Sequence, residues 1–413
     1  MTLAKPGNLG FCPRRLERIR PALERHIADD KLPGIVTLLA RDGKVVQHEA
    51  YGGLHRGHSE PMTTDAIFRL YSMTKPITCV ALMMLYEQGH FQLTDPAARF
   101  ISKFDDLKVA VEADQELVLE DLASPVTIHQ LLTHTSGLSY SFSEYGSVEE
   151  GYRTARVCAD QPLGDFIAAL LEQPLAFQPG TRWRYSFSND VVARLVEVIS
   201  GLRFDDYLRE HIFEPLRMND TDFFVPEEKH HRFTSMYGSG DILAPDVPGS
   251  RLLDDLGAGV NIQLAGPDDC LEASPHDIMR GGHGLVSTAA DYLRFCSMLL
   301  NGGVLDGTRV LGRKTVELMT VNHIASELLP LDEEGIPQPG VGYGLGFGVM
   351  MDVAQAGSIG SNGEYYWSGA ASTSFWIDPV EMLVGIQLTQ FQPSGAFTSA
   401  ADFKVAAYQA MVD

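Results

Sequence analysis

Positive charge is what this sequence lacks most. Over 413 residues, 32 lysines and arginines face 54 aspartates and glutamates, a formal net charge of -22. No basic run offsets this. The densest cluster, Arg14-Arg15 with Arg18 and Arg20, lies on an amphipathic segment and reads as a solvated helix face. So acidic a surface repels phosphate backbones and anionic lipid heads, which excludes nucleic acid and membranes as expected partners. Cysteine is scarce: Cys12, Cys79, Cys158, Cys270 and Cys296 are scattered, odd in number and form no C-x-x-C pair. That excludes a disulfide framework and a zinc site. Apolar runs fall short of the roughly 18 residues of a membrane span. The opening stretch also lacks the roughly 7–15-residue apolar core of a secretory leader. The expected location is cytoplasmic.

Several catalytic signatures are missing too. There is no G-x-S-x-G nucleophile elbow and no H-E-x-x-H, since His48-Glu49 continues as Ala50-Tyr51-Gly52. The glycine-rich stretch 342–348 is not a G-x-G-x-x-G phosphate cradle and reads as a strand with close backbone packing. His230-His231 and the pair His276/His283 have no obvious carboxylate partner and read as ordinary histidines. Neither a metal nor a cofactor is expected.

What remains is ordinary globular composition, 45% hydrophobic and 21% charged, with enough length for a sizeable core. Residues 14–29 space Leu16, Ile19, Leu23 and Ile27 as one helix face. Strand-like runs 34–40 and 44–50 meet at Asp42-Gly43, a hairpin signal. A short run, 66–71, leads into a buried helix starting at or just after Ser72, with Pro76 in its first turn and Gly89 as its stop. Helical pieces and long loops follow: Thr127 with Gln130 forms a capping box, 190–200 is a helix, and 230–282 reads as an extended surface excursion. A helix returns from Thr288. Strands are expected at 343–351, 364–368, 371–377 and 382–389, and a helix over 397–411 closes the chain. Strands first and last with helices between predict an α/β (α+β) fold, an antiparallel sheet drawn from both termini. The expected division is an α/β domain from 1–95 and 286–413, with a helical, loop-rich domain, 96–285, inserted.

The sharpest chemical feature is Ser72-Met73-Thr74-Lys75. On a helix, residues three apart share a face, so hydroxyl and amine come within hydrogen-bond reach. A helix N-terminus also offers free N–H groups to an oxyanion. A neutral lysine can take the serine's proton, but its reference pKa of about 10.4 must fall by roughly three units, through burial and neighbouring charge. No other lysine has a serine three residues before it. The competing reading is a serine cap beside a solvated lysine. Tyr185 lies in a loop just before a helix, where a phenol near a lysine cation suits proton relay; the competing reading there is packing.

Four motifs carry a family resemblance: Ser72 to Lys75, Leu132-Thr133-His134-Thr135-Ser136-Gly137-Leu138, Pro179-Gly180 with Tyr185-Ser186, and Phe213-Glu214-Pro215-Leu216-Arg217-Met218. The sequence resembles the class C β-lactamase and serine penicillin-binding protein family, closest to its β-lactamase-like (family VIII) carboxylesterases. The likeness runs from about residue 15 to the end. It implies a β-lactamase/transpeptidase-like fold, Ser72 as acylated nucleophile, and Lys75 and Tyr185 sharing general-base work. Two positions depart from the penicillinase pattern. Tyr185 is followed by Ser186-Phe187, with Asn189 four residues on, and Trp367-Ser368-Gly369 stands where penicillinases carry Lys-Thr/Ser-Gly. The esterase branch has a Trp–small–Gly variant there. Physically, an indole cannot hold the carboxylate that a lysine would. The resemblance further implies an oxyanion hole from the N–H groups of Ser72 and Ala370, and a substrate pocket involving Tyr140, Trp367, Ser368, Gly369 and Phe347. His134 is expected to fix its turn. The implied activity is hydrolysis of small-molecule carboxylic esters with short to medium acyl chains. The alternatives are a β-lactamase or D-amino-acid peptidase, an acyltransferase, or a non-catalytic scaffold.

Overall fold

The apolar run near the N-terminus is an interior strand of the sheet, buried on both faces, which is why it shows no polar face. In a computed structural model describing residues 2–57, 59–113, 116–244 and 248–413, strand β1 (Gly34–Arg41) pairs with β2 (Lys44–Gly52) on one side. On its other side lies β7 (Leu383–Leu388), near the C-terminus. Successive side chains of a strand point to opposite faces. Accordingly Ile35 and Leu39 join one core cluster, and Val36, Leu38 and Ala40 the other. Thr37, also fully buried, accepts a hydrogen bond from Gln47 Nε2 at 2.7 Å, so its hydroxyl is satisfied.

The remaining strands are β3 (Val341–Tyr343), β4 (Gly348–Met350), β5 (Tyr365–Gly369) and β6 (Thr373–Asp378). The seven-stranded sheet has the order β3-β4-β5-β6-β7-β1-β2 and every pairing in it is antiparallel. Helices α1 (Ile19–Ala28) and α5 (Ser399–Tyr408) supply Ile19, Leu23, Phe403 and Ala407 to one face. The other face is covered by α2 (Thr74–Glu87) and α4 (Ala289–Leu300); α4 starts at Thr288, whose side chain accepts the Asp291 N–H. Helix α3 (Ser188–Ser200) lies in the intervening region and joins α2 in the same core. The capping box at Thr127 forms, with Gln130 as its partner.

Two expectations change. The stretch 343–351 is not one strand: β3 and β4 form a hairpin, because Gly346 takes φ +95° and turns the chain back. The close packing expected there is real, since a Cβ on Gly344 would lie 2.2 Å from the Met319 carbonyl. Nor is 230–282 only a surface excursion. Its strand Met236–Gly238 is buried and pairs with Phe391–Gln392 and with Ile262–Ala265, and Gly249–Gly257 is a helix. A hairpin, Lys108–Ala113 with Glu116–Asp121, lies in the intervening region and had no counterpart in the sequence reading. Among the described residues, no helix is long and apolar enough to cross a membrane.

Because β1 is packed on both faces, truncation there leaves a cavity that neither layer can close. Leu39→Ala is expected to cost about 2–5 kcal/mol, read as a lower urea midpoint.

Candidate active site

Ser72 sits in a single 3-10 turn, Tyr71–Met73, that runs directly into α2. Tyr71 takes φ +48°, a conformation disfavoured for a residue with a side chain, so the turn is held by its surroundings. One support is the end of β5. A Cβ on Gly369 would lie 2.2 Å from the Leu70 carbonyl and 3.2 Å from Tyr71 Cβ. Thr373 Oγ1 also donates to the Leu70 carbonyl at 3.0 Å. Only glycine lets the strand come this close to the turn that carries the serine.

Lys75 is fully buried one turn further on. Its Nζ lies 3.0 Å from Ser72 Oγ and donates to the Gly282 carbonyl at 2.8 Å. Burial is the main force on its charge and lowers its pKa to about 7, opposed by Asp190 and Cys79. The Gly282 carbonyl is delivered by the loop before α4, which crosses the start of α3 very tightly. A Cβ on Gly281 would meet the Asn189 carbonyl at 2.4 Å, and one on Gly282 would meet Asp190 Oδ2 at 2.7 Å. Asp190 Oδ1 accepts the Gly282 N–H at 3.0 Å, and Thr78 Oγ1 donates to the Gly281 carbonyl at 2.7 Å. Burial raises the Asp190 carboxyl, restrained by Arg280 and Lys75.

Tyr185 completes the group. Its phenol is hydrogen-bonded to Ser72 and accepts the Trp367 indole N–H at 3.2 Å. Burial holds that phenol far above its ordinary pKa, so it is protonated, and the resting proton acceptor beside Ser72 is the lysine. The Lys75 nitrogen lies 4.5 Å from the Tyr185 ring centre and 5.3 Å from that of Tyr140. Tyr140 itself is buried and packs 5.1 Å from Tyr185. Behind them a chain of small hydroxyls fixes the tyrosine loop. His134 Nδ1 meets Ser186 Oγ at 3.0 Å, Ser186 meets Ser188 at 2.8 Å, and Ser188 meets Ser136 at 2.9 Å. His134 is neutral, because burial pushes its pKa well below the usual value. It takes φ +58° at the turn it holds.

These residues open on a cavity of about 180 Å³ walled by Ser72, Tyr140, Tyr185, Trp367 and the run Ser368-Gly369-Ala370. Phe347 is not there. It lies fully buried in the core, edge-on to Tyr365 at 5.4 Å, because the β3–β4 hairpin turns it inward. Asn189, four residues after Tyr185, donates to Cys79 Sγ at 3.0 Å behind the lysine. Among the described residues no cluster of side chains could hold a metal ion. Three contributors escaped the sequence reading: Gly282 and Asp190, which position the lysine, and His283. The paired glycines Gly281-Gly282 were the available signal for the first. His283 lines the same cavity and is kept neutral by burial, with help from Arg280 and Lys75.

A family model described as Beta-lactamase matches residues 19–409. Among curated proteins, protein Rv1367c of Mycobacterium tuberculosis is 33% identical over 386 residues, covering 90% of this chain and 88% of its own. Esterase EstB of Burkholderia gladioli is 30% identical over 376 residues, covering 87% of this chain and 86% of its own. Among solved structures, EstCE1, described as a hydrolase with promiscuous acyltransferase activity, aligns with a TM-score of 0.77 at 27% identity. That alignment covers 96% of this chain and 99% of the other.

The close approach at Gly369 yields a test. Gly369→Ala is expected to push β5 away from the Ser72 turn and slow covalent labelling by a fluorophosphonate about 10²-fold. Intact-mass kinetics would read this, with circular dichroism reporting that the fold persists.

Proposed function

The chain belongs to the Beta-lactamase family, and on that premise we propose that it is a carboxylesterase working through a Ser72 acyl-enzyme. The observation that carries the reading is the lysine. With a pKa near 7, Lys75 is about half neutral at neutral pH, where a general base works best. Neutral Nζ accepts the proton of Ser72 Oγ as that oxygen bonds to the ester carbonyl carbon. The backbone N–H groups of Ser72 and Ala370, neither of which donates elsewhere among the described residues, receive the developing oxyanion. As the carbon–alkoxide bond breaks, the proton returns through Lys75 and the Tyr185 phenol to the leaving oxygen. Water then attacks the acyl carbon, gives its proton to Lys75, and Ser72 is released protonated. An alcohol in place of water gives acyl transfer through the same intermediate.

Two further points favour esters over β-lactams. The penicillinase lysine of the third motif is replaced by Trp367, and among the described residues the cavity lining contains no arginine or lysine to hold a β-lactam carboxylate. An alkoxide also leaves more readily than an amide nitrogen, so it asks less of the proton donor. The names of EstB and EstCE1 point the same way. The aromatic walls and modest volume suit short to medium acyl chains.

Two measurements test this. Hydrolysis of p-nitrophenyl butyrate is expected to vanish in Ser72→Ala; survival of turnover in the variant would reassign the nucleophile. The pH profile of kcat/KM follows from the sign of the lysine shift. The active form is the neutral amine, so activity falls as pH drops through about 7 and levels off above it. A profile flat from pH 5 to 9 would remove Lys75 from the base role.

A further inference from the structure

One wall of the cleft is a small hairpin, Leu331–Glu333 paired with Ile336–Gln338. Leu331 anchors it, buried against Trp183, Ile324 and Tyr343. Its tip carries three consecutive acids, Asp332-Glu333-Glu334, and two of them are tied to the body of the protein. Tyr145 OH donates to Asp332 at 3.2 Å, and Ser143 Oγ donates to Glu334 at 2.6 Å. Glu333 between them lines the cavity from an exposed position, and among the described residues its carboxylate has no hydrogen-bond or ion-pair partner. Its charge adds, behind burial, to the upward shift of the Tyr185 phenol in the cleft and of the Tyr343 phenol in the core.

The rest of the lining is as one-sided as this corner. Among the described residues, the charged members of the cleft wall are Glu333 and Glu334, the histidine there is neutral, and Tyr71, Tyr140, Phe142, Tyr185 and Trp367 contribute rings. An unpaired carboxylate beside aromatic faces is the arrangement that holds ammonium groups, because ring quadrupole and formal charge attract the same ion. The net charge of -22 draws cations toward such a cleft and repels anions.

We propose that this corner is a cation subsite, and that the preferred substrates are carboxylic esters bearing an ammonium group, held by the Glu333 carboxylate against the rings of Trp367 and Tyr185. The inference rests on the esterase reading and narrows its substrate class. Glu333 acts on binding and not on the bond-making steps, so its signature is a preference within matched substrate pairs.

Two pairs test it: butyrylcholine against the isostere in which carbon replaces the ammonium nitrogen, and the p-nitrophenyl ester of trimethylammonio-butyrate against its own carbon isostere. They place the charge on the alcohol and the acyl side in turn. In at least one pair the wild type is expected to favour the cationic member about tenfold in kcat/KM. Glu333→Gln should bring that ratio toward one, Glu333→Lys should invert it, and added salt should shrink it. Equal or neutral-favouring ratios in both pairs, or a preference that persists in Glu333→Gln, would overturn the subsite. A wild type inert on all four esters and on p-nitrophenyl butyrate would instead bring down the esterase reading beneath it.

Discussion

An amine buried inside a protein is the constraint around which this molecule is arranged. Lys75 is fully buried, with a serine hydroxyl on one side and the Gly282 carbonyl on the other. Burial disfavours its charge, and that cost makes it a usable base at neutral pH. Asp190 limits the shift without sitting in contact as an ion pair; its Oδ1 accepts the Gly282 N–H. A direct carboxylate partner would keep the lysine charged and unable to accept a proton. The loop of paired glycines thus does two things at once. It gives the amine a neutral acceptor, and it ties one oxygen of the Asp190 carboxylate to its own backbone.

The same economy appears on the opposite side of the serine. Trp367 stands at a sheet position facing the tyrosine loop and gives its only polar hydrogen to the Tyr185 oxygen. That fixes the phenol against Ser72 and builds the wall of the cleft from the same side chain. The approach of Gly369 to the Leu70 carbonyl sets how far Ala370 stands from the serine turn. Sheet, helix α2 and the intervening region therefore each contribute one part of a site that none of them contains alone.

Much of the frame was legible because its signals are local. The apolar run of β1, the Asp42-Gly43 turn, the capping box at Thr127 and the start of α2 beside Ser72 all follow from short-range chemistry. The pair Ser72 and Lys75 was readable for the same reason, since its spacing is local, whereas Tyr185 and Trp367-Ser368-Gly369 were singled out by the family resemblance. Phe347 was misread because an aromatic near a motif carries no sign of the direction it faces; Gly346 reverses the chain just before it and sends it into the core. The strand inside 230–282 was missed because its partner, Phe391–Gln392, lies some 150 residues away and the strand itself is only three residues long.

By itself the sequence determined the residue types that can do the chemistry, the helix that sets serine and lysine three apart, and the net negative charge. These depend on spacing and composition, which chain order specifies. Only the tertiary structure decided that the lysine is buried, that the tyrosine oxygen meets the serine, and that Glu333 is left unpaired at the cleft. Burial and pairing are sums over neighbours far apart in the chain, and no local pattern encodes a sum of that kind.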